Sequence, residues 1–299
     1  MRTTLKPLLR GGAAAAAIAI TVFGGAQQAQ AVGTIEVFQE LFLSLDVSGS
    51  ISPNNFNLYK DGYIAAFNNT DVQAKISETF AFGRGGLAIA VGQWSNTAFS
   101  PPVIDWQHIT SLDTDGVNGG TSLNTFLTAL DGMGRQGSST TCVDCGMAAA
   151  ITEINTNDYF TTRADGRVID ISTDGQGNRE ACSGTSNIGE CSRIRRDQAV
   201  ASKIIINGLG VGNSASNFLT DNVVTPLNGD TRAGFVQKAA NFGAFEAAIT
   251  TKLIREVGPP GPGPTDSVPG PLPVLGAAAA FGFSRKLRRR INTANFHQA

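Results

Sequence analysis

Asp46, Ser48 and Ser50 fall on alternate residues of Asp46-Val47-Ser48-Gly49-Ser50, directly after the apolar run Leu41-Phe42-Leu43-Ser44-Leu45. One carboxylate and two hydroxyls at that spacing offer three hard oxygen donors to a single cation. Magnesium suits such a set because it takes few carboxylates, accepts neutral oxygens and keeps some of its waters, leaving positions that a partner can fill. Serines and a glycine after a strand are also ordinary turn residues, so the motif draws its meaning from what surrounds it.

A short continuous apolar run that stops at a Gly/Ser turn reads as a central strand of an α/β sheet, and ligands of such sheets bind beyond the carboxyl ends of the strands. Ser52-Pro53 supplies an N-cap and a first-turn proline, and Phe56, Tyr59, Tyr63, Ile64 and Phe67 then recur at helical spacing. Strand, oxygen-rich turn and amphipathic helix make the first unit of a doubly wound, mostly parallel sheet with helices on both faces. The alternation continues with strands over 87–94, 168–173 and 204–211, a short edge strand over 103–109, and helices over 122–133, 145–154, 192–202 and 244–257. The Gly-, Asn- and Ser-rich stretch 212–231 reads as a loop.

These residues resemble the von Willebrand factor type A (VWA) domain, whose DxSxS motif is matched by Asp46, Ser48 and Ser50. The resemblance implies a metal-ion-dependent adhesion site (MIDAS) completed by two residues from later loops. Arg167-Val168-Ile169-Asp170-Ile171-Ser172-Thr173-Asp174-Gly175 resembles the family's fourth-strand segment and offers Asp174 as the second carboxylate. Thr141-Cys142-Val143-Asp144-Cys145-Gly146-Met147 is similar to the threonine loop, with Thr141 in the ligand position and Thr140 as a one-residue alternative. The implied metal ligands are thus Asp46, Ser48, Ser50, Thr141 and Asp174. The strand at 167–172, Arg196-Asp197-Gln198-Ala199-Val200 leading into 204–209, and Asp221-Asn222-Val223-Val224 resemble a bacterial type A subfamily of unknown function, DUF1194. That membership implies no known reaction or ligand.

The two ends of the chain differ from the body. Arg2, Lys6 and Arg10 precede an apolar stretch over 13–23, and Ala29-Gln30-Ala31 follows as a small-residue cleavage site, the pattern of a secretory signal peptide over 1–31. After a type A body over 32–258 comes a Pro/Gly linker over 259–267. The segment 268–291, with Pro-Gly-Pro-Leu-Pro, an apolar run and the basic cluster Arg285, Lys286, Arg288, Arg289 and Arg290, resembles a PEP-CTERM sorting signal ahead of a tail over 292–299. Glycine stands where that signal usually has glutamate. The resemblance implies an exosortase as processing partner and only transient contact with the membrane.

Three basic residues in the leader and five in the tail leave fifteen in the exported part against 24 acidic ones. An acidic body argues against nucleic acid or anionic membrane as partner and is compatible with uptake of a divalent cation. Cys142, Cys145, Cys182 and Cys191 all fall in the exported body, where disulfides persist. Proximity in sequence pairs Cys142 with Cys145 and Cys182 with Cys191, both on loops at the carboxyl edge of the sheet, with cross-pairing as the next choice. A redox-active dithiol at Cys142 and Cys145 lacks the strand-and-proline context of thioredoxin-like proteins, and a zinc site lacks knuckle spacing. His108 and His297 are the only histidines and neither sits in a catalytic motif. Asp170, an acid inside an apolar strand, reads as pointing away from the metal and bonded to a neighbouring loop.

The expected function is a secreted or cell-surface binding module, not an enzyme. Its divalent cation, magnesium with manganese or calcium as alternatives, would engage a carboxylate of a protein or polysaccharide ligand. A redox or metal-assisted enzyme, or a metal-free matrix protein, are the competing readings.

Overall fold

The computed structural model describes residues 34–229 and 231–259. The expected signal peptide, sorting segment and tail, and nearly all of the expected Pro/Gly linker, lie outside them. In chain order the elements are β1 (Ile35–Glu36), β2 (Gln39–Asp46), α1 (Pro53–Phe67), α2 (Thr70–Phe80), β3 (Leu87–Trp94) and β4 (Ile104–Ser111). They continue as β5 (Thr121–Ser122), α3 (Leu123–Asp131), α4 (Val143–Thr156), β6 (Tyr159–Phe160), β7 (Arg167–Thr173) and α5 (Ile188–Ala201). The last are β8 (Ile205–Val211), α6 (Gly212–Asn222), β9 (Val236–Ala239) and α7 (Phe245–Glu256).

β2 is buried along its whole length, which explains its near-continuous apolar sequence: a parallel strand covered on both faces has no solvent side to make polar. It lies between β3 and β7 in a seven-stranded sheet of order β5-β4-β3-β2-β7-β8-β9. All pairs are parallel except β3 with β4. Leu41, Leu43 and Leu45 point to one face, where they join Phe56, Tyr59, Tyr63, Phe126, Phe245 and Ile249. That layer holds α1, α2, α3 and α7. Phe42 points to the other face and joins Trp94, Met147, Ile151, Ala199 and Leu219 under α4, α5 and α6. The fold is therefore doubly wound α/β, mostly parallel, with helices on both sides. No helix among the described residues is long and apolar enough to cross a membrane.

Helix starts follow their caps. Ser52 accepts from the Asn55 N–H at 3.2 Å ahead of Pro53, and Asn187 accepts from the Glu190 N–H at 3.0 Å ahead of α5. α1 and α7 meet closely at Gly62, where a Cβ would lie 2.6 Å from Phe245 Cδ1.

Three expectations are corrected. The stretch 212–231 begins with a helix, α6, although its sequence is poor in helix formers; burial of Ala215, Ser216 and Leu219 against β8 and β9 overrides propensity. The strand at 103–109 is β4, one position in from the edge, because the two-residue β5 pairs outside it. Asp170 does point away from the rim, but its partner is a helix residue rather than a loop: Lys252 Nζ of α7 lies 2.7 Å from Asp170 Oδ1.

Candidate metal centre

The carboxyl ends of β2 and β7 and the start of α4 bring the sequence-singled residues together. Asp46, the last residue of β2, is fully buried and both its oxygens are engaged. Oδ1 accepts from the Ser48 N–H at 2.8 Å and Oδ2 from the Thr173 hydroxyl at 2.6 Å. The first bond folds the chain back after the strand, so that Ser48 Oγ and Ser50 Oγ lie 3.2 Å apart. Thr141 Oγ1 donates to Ser48 Oγ at 2.9 Å, and Ser50 Oγ donates to Asp174 Oδ1 at 2.6 Å. Thr140 is exposed; Thr141, 6% exposed, is the threonine that stands in the cluster.

Neighbouring groups hold these loops in place. The Gly49 N–H donates to Ser139 O at 2.7 Å, and a Cβ at Gly49 would come within 3.1 Å of Ser138 O, so the 138–139 backbone needs a glycine beneath it. Arg135 Nη2 donates to the carbonyls of Val47 and Ser48 at 3.1 and 2.7 Å. Asn178 forms a reciprocal pair with Thr141, its Oδ1 accepting from the Thr141 N–H at 2.8 Å and its N–H donating to Thr141 O at 2.9 Å. The loop after Asp174 is thereby tied to the loop that carries Thr141.

Both cysteine pairs are those expected from proximity: Cys142 with Cys145 and Cys182 with Cys191. Cys145 lies in the first turn of α4, in line with the helix expected from 145, whereas the expected loop position of Cys191 is corrected, since it lies inside α5. The first bridge closes the opening turn of α4 immediately after Thr141. Cys142, Asp144 and Cys145 lie close enough to suggest a second metal group. With both sulfurs bonded to each other, neither is a thiolate ligand, and Asp144 Oδ2 instead accepts from the Ala181 N–H at 3.0 Å.

Electrostatically, the Arg135 guanidinium at the rim bonds backbone carbonyls rather than a carboxylate. Burial pushes Asp46 up to about 6, against the lowering effect of Thr173 and Ser48, and the nearby Asp174 carboxylate adds to the rise. Burial likewise raises Asp174, partly offset by the Ser50 hydroxyl. Neither carboxylate forms an ion pair among the described residues. The donors fit a small hard cation. Octahedral magnesium with Mg–O near 2.1 Å has adjacent ligand oxygens about 3.0 Å apart, and the hydrogen-bonded Thr141–Ser48, Ser48–Ser50 and Ser50–Asp174 separations of 2.9, 3.2 and 2.6 Å bracket that edge.

Sequence reasoning missed Arg135, Thr173 and Asn178. Thr173 lies inside the segment that pointed to Asp174, and an alcohol ending a buried strand is a signal that it bonds something there. Asn178, after the glycines at 175 and 177, carries the signature of a turn whose side chain bonds backbone. Arg135 gives no local sign, because its partners are carbonyls far away in sequence.

An α/β sheet with an oxygen-rich rim defines the class of protein. Over residues 36–260 the chain matches the family described as protein of unknown function (DUF1194), and it belongs to that family. A comparison with curated proteins found no match. Among solved structures the chain is similar to proximal thread matrix protein 1 from the mussel byssus, at 16% identity and TM-score 0.46, over 75% of this chain and 46% of that one. The form of that protein with a zinc-occupied MIDAS motif is similar at 13% identity and TM-score 0.47, over 75% and 48%. The pilus adhesin SpaC from Lactobacillus rhamnosus GG is similar at 13% identity and TM-score 0.48, over 76% and 31%. The chain thus spans less than half the length of these proteins.

Proposed function

We propose that this protein is a non-enzymatic binding module of the cell exterior whose rim holds a divalent cation, magnesium by the chemistry of its donors. Ser48 and Ser50 would coordinate directly, Thr141 directly or through a water, and Asp46 and Asp174 directly or as acceptors for bound waters. The single observation that carries this reading is the packing of the Thr141, Ser48, Ser50 and Asp174 oxygens at octahedral-edge spacing. With hydroxyls as most of the donors, the ion keeps positive charge on its open side, where a carboxylate of a protein or polysaccharide partner completes the coordination. Export agrees with the two disulfides, which persist in oxidising compartments, and the leader and exosortase-type tail belong to the same proposal.

An acid–base enzyme is disfavoured by the place of His108, whose Nε2 lies 2.5 Å from the Gly85 carbonyl, with Gly85 ahead of β3 at the opposite end of the strand from the rim. Calorimetric titration with Mg²⁺ or Mn²⁺ tests the proposal. The wild type is expected to give saturable heat and Asp46→Ala to lose it; equal heats for the two proteins contradict the metal assignment.

A further inference from the structure

On the face of the sheet that carries α4, the helices stop short of the β3–β4 side. α4 packs over β2, β3 and β7, whereas the helices that touch β4, α2 and α3, belong to the opposite layer. Half-buried Trp106 and Tyr159 lie in the uncovered strip, beside the buried Phe42. Phe42 and Trp106 lie 5.9 Å apart between centroids, and Trp106 and Tyr159 6.2 Å apart.

Two hollows flank this strip and share Glu153 of α4. The first, about 350 Å³, is walled by Phe42, Trp94, Ala98, Phe99, Pro102 and Ala149. The second, about 280 Å³, is walled by Asp105, Trp106, Glu153, Asp158 and Tyr159. No lysine or arginine lines either one among the described residues. Trp94 is 1% exposed, and its indole N–H has no hydrogen-bond partner. Partial burial raises Glu153; the Trp106 indole opposes that rise and the nearby Asp105 carboxylate adds to it. An apolar hollow of ligand size therefore adjoins, at Glu153, a polar one lined by three carboxylates and two aromatic rings, with no lysine or arginine among its described lining.

We propose that this groove binds a small organic cation, its apolar body in the hollow walled by Phe42, Phe99 and Ala149 and its protonated amine among Glu153, Asp105 and the rings of Trp106 and Tyr159. The volume of the apolar part lies within the range of small-molecule pockets. A cation over tryptophan and tyrosine faces is attracted by the ring quadrupoles, and an ammonium set between Glu153 and Asp105 replaces their mutual repulsion with two attractions. The site is separate from the rim cluster and stands whether or not a metal binds there.

Trp94 and Trp106 are the only tryptophans of the chain, and both line this groove, so intrinsic fluorescence reports on it directly. The test is titration of the purified full chain with dansylcadaverine, a dansyl fluorophore with a primary ammonium at the end of a five-carbon tether, following energy transfer from tryptophan. N-pentyl dansylamide, the same fluorophore and tether without the ammonium, serves as the comparison, called dansylamide below. Saturable transfer is expected, with dansylamide about tenfold weaker, the size of one charge-assisted contact. Glu153→Gln should weaken dansylcadaverine by a similar factor and leave dansylamide unchanged, and Ala149→Phe should remove both signals while circular dichroism stays that of the wild type. Equal affinity of the two probes for the wild type, no saturation by either, or binding that survives Ala149→Phe overturns the proposal; the first two outcomes need no variant to fold.

Discussion

Asp170, in the middle of β7, and Asp174, just past its end, lie four residues apart, yet their surroundings differ in kind. In the core, Lys252 Nζ is 2.7 Å from Asp170 Oδ1 and 2.7 Å from Glu256 Oε2, and Asn207 Nδ2 donates to the same Glu256 oxygen at 2.9 Å. All three charged side chains are fully buried. At the rim, Asp174 meets the Ser50 hydroxyl and Asp46 meets a backbone N–H and the Thr173 hydroxyl, with no ammonium or guanidinium in an ion pair with either among the described residues. The interior cluster carries its cation in the sequence. On the proposed reading the rim cluster takes its cation from solution; in the structure its oxygens are held together by neutral hydroxyls.

The comparison also explains the state of Glu256. Burial and the adjacent Asp170 carboxylate push it up to about 8, against the lowering effect of Lys252. The raised value favours a proton on the Asp170–Glu256 pair, and with that proton one ammonium balances one carboxylate. Three ionisable residues inside a core are tolerable only in that form.

Removing the interior cation should do the most damage. Lys252→Met leaves Asp170 buried without a countercharge and is expected to cost about 3–5 kcal/mol of unfolding free energy, measurable by urea denaturation. A loss under 1 kcal/mol would mean that the ammonium is not the balancing charge.

A second, smaller effect should appear in the pH dependence of stability. Burial pushes Glu40 up to about 7 from an ordinary 4.5, with Asn157 and Arg167 opposing. Between those values the folded chain keeps a proton that the unfolded chain has released, so stability is greatest below about 4.5 and falls as pH rises through 7. Glu256 extends the fall towards 8. The Glu40 part is on the order of 2 kcal/mol, and thermal unfolding of Glu40→Gln from pH 5 to 8 should show a correspondingly shallower slope. An unchanged slope would remove Glu40 from the account.

The smallest stability effect belongs to the rim. Because Asp174 has no charged partner to orphan, Asp174→Asn in chelator-treated protein should stay within about 1 kcal/mol of the wild type, the reverse of Lys252→Met. A loss as large as that of Lys252→Met would erase the distinction between the two clusters.

Much of this arrangement is legible in the chain because it rests on local rules. The buried run 41–45, the Ser52-Pro53 start of α1 and the alternation of strands and helices mark a doubly wound sheet with the 41–45 strand at its centre. The convergence of Thr141 and Asp174 on Ser48 and Ser50 came from the likeness to type A domains, not from spacing alone. What stayed hidden depends on tertiary partners. α6 is built from Gly212, Asn213, Ser214 and Asn217 and gains its helix from burial against β8 and β9. β9 is four residues long and only partly buried, too short for its alternation to speak. Asp170 announced itself as an acid in an apolar strand, but Lys252, the residue that makes it tolerable, is distant in sequence and looks like any helix-surface lysine.

The central claim is that the rim oxygens surround a cation, and diffraction from crystals grown with Mn²⁺ tests it most directly. An anomalous peak is expected among Ser48 Oγ, Ser50 Oγ and the Thr141 hydroxyl, at about 2.2 Å from the two serine oxygens, absent in Asp46→Ala. Full Mn²⁺ occupancy elsewhere on the molecule, with the Ser50–Asp174 and Thr141–Ser48 hydrogen bonds intact, would contradict it.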